Sequence, residues 1–125
     1  MAEEEVTGSE QAVQPGRLSV AASTTGGVHV ITLAGEIDHH TGMALRQAFD
    51  LSGVPRPRVV VDMRQVTFID SSGINILIAA HRALTEAGGR LRLAAPGSAV
   101  LRTLTLVGVD TVIDCHETLD QALSN

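Results

Sequence analysis

A chain of 125 residues with no Lys, Trp or Tyr, two Phe and a single Cys is one domain, and its absences exclude whole chemistries. Without Lys there is no P-loop lysine, no Schiff-base lysine and no Ser-x-x-Lys acyl transfer. Of the net charge of -5, the excess lies in Glu3, Glu4, Glu5 and Glu10; from Arg17 onward the acids and the nine arginines nearly balance. No basic stretch forms and aromatic residues are scarce, so a nucleic-acid partner held by phosphate neutralisation or base stacking is not expected.

Residues 1–16 are small, polar and acidic, and are expected to form a disordered tail ahead of one domain over 17–125. A short strand over Leu18 to Ala21, a turn at Ser23-Thr24-Thr25-Gly26-Gly27 and a strand over Val28 to Ala34 read as an antiparallel hairpin. Thr41 to Leu51 carries Met43, Ala44, Leu45, Ala48 and Phe49 at helical spacing and is stopped by Ser52-Gly53-Val54-Pro55. Arg58 to Asp62, with its Val59-Val60-Val61 run, suits a strand covered on both faces. Val66 to Ile69 then leads into a helix that runs to Ala87 and ends at Gly88-Gly89. Leu91 to Ala94 reads as a strand, Ser98 to Leu106 as a helix, Val112-Ile113 as a last strand and Thr118 to Leu123 as a final helix. Strands alternating with helices after one hairpin predict an α/β fold with a mixed, mostly parallel sheet.

The chemistry concentrates at Asp70-Ser71-Ser72-Gly73-Ile74. A carboxylate and two hydroxyls stand where a helix begins, so one of them is expected to cap it. A phosphate added to either serine would sit at the positive end of the helix dipole while adding about -1.5 to -2 charge beside Asp70.

Together with Gly35-Glu36-Ile37-Asp38-His39-His40-Thr41, this segment resembles the anti-sigma factor antagonists, whose domain is called STAS. The resemblance covers about Leu18 to Leu123. It implies partner switching: the unphosphorylated antagonist binds an anti-sigma factor that is also a serine kinase, and the sigma factor is freed. The kinase, supplying ATP and Mg, then phosphorylates Ser71 and the antagonist is released; a metal-dependent serine phosphatase restores it. On this resemblance Asp70 orients the acceptor, Ser72 is its small neighbour, Asp38 belongs to the facing loop, and Thr41 caps the helix that follows.

Helical projection sets Ile76, Leu77, Ala80, Leu84 and Ala87 on a core arc, with Asn75, Ala79, Arg82 and Glu86 opposite. Ile74 and Ile78 fall on the flank between, beside the acceptor, and with Gly73 and Asn75 complete the expected partner-binding set. The chain lacks equipment for catalysis of its own: a Gly-x-Ser-x-Gly elbow needs glycine where Ile69 stands, so a serine hydrolase is not expected. His39-His40 and Cys115-His116 are poor ligand or catalytic pairs, because neighbours rarely point the same way, and no metal or other cofactor is expected. Cys115 reads as a small, at least half-buried residue. With no long apolar run and an acidic start, the reading is cytoplasmic, without a membrane or direct nucleic-acid partner. The competing role is a STAS scaffold or small-ligand-sensing subunit of a larger signalling assembly.

Overall fold

The computed structural model describes residues 17–51 and 53–124. The expected tail, residues 1–16, lies outside them. Strands β1 (Leu18–Thr25) and β2 (Val28–Ile37) form the hairpin, closed by Gly26 and Gly27 at φ +57° and +82°. A two-residue hairpin turn needs positive φ at both positions, which these glycines supply without steric cost. The turn is therefore confined to two residues, and β1 runs on through Ser23-Thr24-Thr25, which the sequence had suggested as turn.

Strands β3 (Arg58–Ile69), β4 (Arg90–Ala94) and β5 (Asp114–His116) add in parallel, giving one five-stranded sheet in the order β1-β2-β3-β4-β5. Helices α1 (Gly42–Ala48), α2 (Ser71–Glu86), α3 (Ser98–Leu106) and α4 (Leu119–Leu123) alternate with the strands. The single mixed α/β domain is thus as the sequence predicts. Alternation along β3 divides the core: Val59 and Val61 join Ile31, Leu33, Leu91 and Leu93 under Leu45, Leu77, Leu84 and Leu104 of the first three helices. Val60 faces the other way and packs with Val28 and Ala94 against Ala122 of α4. The valine run is buried on both faces, as a central parallel strand requires.

Four local expectations are corrected. Helix α1 is shorter than Thr41 to Leu51 and buries only Gly42 and Leu45; Met43 is 72% exposed. Ala87 is exposed just past the end of α2 and does not extend its core arc. The last strand is Asp114–His116, while Val112 is exposed and Ile113 is a core residue in the turn before it. Helix α4 starts one residue after Thr118, whose Oγ1 caps it by accepting from the Gln121 N–H at 3.1 Å.

Strand β3 is continuous where the sequence suggested two pieces. Against β2 it carries two irregularities, between Thr32 and Ala34 and between Gly35 and Glu36, each adding one residue to β3. At the first, buried Asp62 (2% exposed) accepts from the Arg64 N–H at 3.1 Å and pairs with its guanidinium at 2.8 Å. That ion pair raises the Arg64 pKa above its ordinary value. At the second, Thr67 Oγ1 donates to the Gly35 carbonyl at 3.2 Å. The two extra residues bring Ile37 level with Ile69, so Asp38 and Asp70 leave adjacent strands side by side.

Candidate functional site

The site is built at the C-terminal ends of β2 and β3. The Asp70 N–H donates to the Ile37 carbonyl at 3.1 Å, which ties the two loops together. Asp70 is the N-cap of α2, in extended conformation, and its Oδ1 accepts from the N–H groups of Ser72 at 2.9 Å and Gly73 at 3.2 Å. The cap expected from the sequence is thus the carboxylate, and both serine hydroxyls are left without a hydrogen bond among the described residues. Ser71, the first residue of α2, is exposed; Ser72 is half-buried.

The Asp38 loop has a different construction. Asp38 Oδ1 accepts from the His40 N–H at 2.8 Å and the Thr41 N–H at 3.2 Å. Thr41, buried, accepts from the Asp38 N–H at 2.9 Å and donates to the Glu36 carbonyl at 2.9 Å. Its hydroxyl therefore holds the loop and makes no side-chain cap bond to α1, in contrast to the expected role. The rings of His39 and His40 lie 3.9 Å apart between centroids, so these neighbours do face each other. Among the described residues no group of three His, Cys, Asp or Glu side chains is placed to hold a metal ion.

Burial sorts the expected contact residues. Asp38, Asp70, Ser71, Ser72 and Asn75 have surface to offer. Gly73 is buried because a Cβ there would overlap the Ile37 side chain and come within 2.9 Å of Ile69 Cγ1. Ile74 is only 7% exposed and belongs to the main core, so the projected flank is not a free apolar patch. Ile78 is half-buried and packs against that core. The helix buries a wider face than a narrow stripe, which single-helix projection cannot see.

The exposed relief next to Ser71 is a groove between α1 and α2. Its upper part, about 390 Å³, is lined by His39, Met43, Arg46, Ser72, Asn75 and Ile76. Its lower part, about 440 Å³, shares Arg46 and Ile76 and continues past Phe49, Ala79 and Ala83. The helices approach closely because Gly42 faces Ile76, whose Cδ1 would be 2.9 Å from an added Cβ. Met43, Arg46 and Ala83 were not picked out from the sequence as site residues. An arginine and a small residue on helix faces carry no signal until the partner helix is in place.

At the far edge of the sheet Cys115 is half-buried, and burial, followed by Asp110 and Asp114, pushes its thiol up to about 11. That fits the small packed residue expected from the sequence. No helix among the described residues is long and apolar enough to cross a membrane.

A mixed sheet whose two Asp-led loops present a capped helix start beside a serine is the arrangement of one known domain class. Residues 19–122 match the STAS domain model, and the chain belongs to that family. It is 31% identical over 111 residues to the anti-sigma-F factor antagonist RsfB of Mycobacterium tuberculosis, covering 88% of this chain and 90% of that protein. The crystal structure of an anti-sigma factor antagonist from Mycobacterium paratuberculosis superposes with a TM-score of 0.80 at 33% identity, over 90% of this chain and 96% of that one. The phosphorylated form of the Bacillus cell fate determinant SpoIIAA shares the fold, with a TM-score of 0.62 at 24% identity over 84% of this chain and 96% of that one.

Proposed function

We propose that the protein is an anti-sigma factor antagonist that offers the start of α2 and the Asp38 loop to an anti-sigma factor, with Ser71 as the switch. The observation that carries this reading is the division of labour at the helix start. Asp70 already occupies the Ser72 and Gly73 N–H groups, and Ser71 is left exposed with an uncommitted hydroxyl. The RsfB and Mycobacterium paratuberculosis likenesses supply the class of partner.

In this reading the partner is a serine kinase that brings ATP, Mg and the base. Ser71 Oγ attacks the γ-phosphorus, its proton passes to the partner's base, and ADP leaves. The product is a dianion next to a carboxylate that has claimed two of the N–H groups a phosphate would otherwise use at a helix start. Repulsion at Asp70 and Asp38, with desolvation of the phosphate, weakens the complex without refolding the domain. A metal-dependent serine phosphatase resets it, and the cycle belongs to the cytoplasm. Exposed Asn75 and half-buried Ser72 form the contact surface, with half-buried Ile78 and buried Ile74 supporting it from below.

The test is incubation of the chain with its anti-sigma kinase and ATP, followed by mass spectrometry and titration of the product against that kinase. Phosphate on Ser71 with loss of affinity is expected. Phosphate on Ser72 alone, or a tight complex with no phosphate transfer, overturns the assignment.

A further inference from the structure

At the end of the sheet opposite Ser71, three of the nine arginines converge on one cleft. Arg58 opens β3, Arg90 opens β4, and Arg56 stands in the loop before β3; with Gly88 and Gly89 they line about 510 Å³. Among the described residues none of the three has a carboxylate within ion-pair distance. Asp114 of β5 acts on Arg90 only through space, and Glu86, in the last turn of α2, makes no ion pair with any of them. Arg58 Nη2 donates to the Gly26 carbonyl at the hairpin tip at 3.3 Å, which holds its head at the rim.

The surroundings disfavour such a cluster unless something balances it. Burial, then the like charges of Arg92 and Arg58, lower the Arg90 pKa below its ordinary value. Arg56 has φ +47°, although it is not glycine and precedes Pro57, whose ring favours extended conformations in the residue before it. The floor is main chain: a Cβ on Gly89 would overlap the Pro57 carbonyl, to which the Arg90 N–H donates at 2.9 Å.

We propose that this cleft is a binding site for a compact anion carrying two or more phosphate groups, gripped by Arg56, Arg58 and Arg90. Each guanidinium presents a planar fork of donors that matches two oxygens of a phosphate. Three forks around a cleft larger than one phosphate call for more than one such group. Two sources share this chemistry: free condensed phosphate, and phosphates carried on a small carbon skeleton. The site lies at the other end of the sheet from the partner surface and does not depend on the switch at Ser71.

The experiment is calorimetric titration of the full chain with pyrophosphate and with fructose 1,6-bisphosphate, using citrate as a carboxylate of similar charge. Saturable one-to-one binding that weakens with added salt is expected for at least one phosphate compound, and the tighter one identifies the source. Arg58→Gln and Arg90→Gln each weaken it roughly tenfold or more, the scale of a lost charged hydrogen bond. Arg82→Gln, exposed on α2 outside the cleft, leaves it unchanged. Arg56→Gly separates binding from folding: it removes the positive-φ penalty and melts at or above the wild-type temperature, yet binds more weakly. No saturable binding, citrate as tight as the phosphates, equal loss in Arg82→Gln, or full affinity in Arg56→Gly overturns the proposal.

Discussion

The two ends of the parallel strands treat charge in opposite ways. At the C-terminal end both loop carboxylates are answered by main chain: Asp38 by His40 and Thr41, Asp70 by Ser72 and Gly73. At the N-terminal end three guanidinium groups share one hydrogen bond among the described residues, from Arg58 to Gly26. Each end also rests on a glycine that leaves no room for a side chain, Gly73 in one case and Gly89 in the other. The obstacles differ: Ile side chains beside Gly73 can shift, whereas the Pro57 main chain beside Gly89 cannot do so without moving β3. One end is internally satisfied, and in the proposed reading it is the end that receives charge covalently; the other gathers three guanidinium groups with no carboxylate at ion-pair distance among the described residues.

That contrast sets the order of expected effects. Gly89→Ala is the largest, about 3 kcal/mol or more in urea unfolding, and it exceeds Gly73→Ala, which costs about 1–3 kcal/mol as an overpacked core does. Equal costs would show that both glycine contacts yield alike and erase the distinction. Next, Ser71→Asp weakens anti-sigma binding about 100-fold relative to Ser71→Ala, near 2.7 kcal/mol, with unchanged melting temperature. Asp70→Ala loses an N-cap worth about 1–2 kcal/mol, read by thermal or urea unfolding, because two N–H groups at the start of α2 lose their acceptor.

The smallest effect is at Cys115. Its folded-state pKa, about 11, lies above the ordinary 9.0, so the protonated thiol is the form the fold favours. The stability it contributes is present below pH 9.0 and is lost as pH rises toward about 11, while alkylation near pH 8 is slow until the chain unfolds. Alkylation of the folded protein as fast as that of a free thiol would contradict the burial.

Much of this architecture was legible in the sequence where the pattern was strong. Helix α3 has the bounds Ser98–Leu106 that its spacing predicts, and α2 starts where Asp70-Ser71-Ser72-Gly73 says a helix should. The reading failed where tertiary context decides. Met63-Arg64-Gln65 breaks the apolar run of β3, so one strand with two bulges looked like two pieces. Met43 has helical spacing but faces solvent, since α1 buries only Gly42 and Leu45, with Ala48 packed at the core's edge. Of the proposed site, both acidic loops and the serines at the start of α2 could be read, while the burial of Ile74 and the groove along Arg46 depend on how α1 and α2 sit together. Thr41 was recognised as a hydroxyl that ought to bond main chain, but not that its partners lie behind it, at Glu36 and Asp38.

The two irregularities in β3 make that strand a ruler with adjustable length. Removing only the unpaired Thr67 would leave Phe68 opposite Glu36 and Ile69 opposite Ile37 in a plain ladder; removing Thr67 and Phe68 together would draw Asp70 back by about 3.3 Å and turn it to the opposite face of the sheet. The serine behind it would then no longer stand beside the Asp38 loop, even though every residue of both motifs remained. Chain length between Asp62 and Asp70, as much as the identity of the serine, therefore determines whether Ser71 stands beside the Asp38 loop, the placement on which the proposed switch rests.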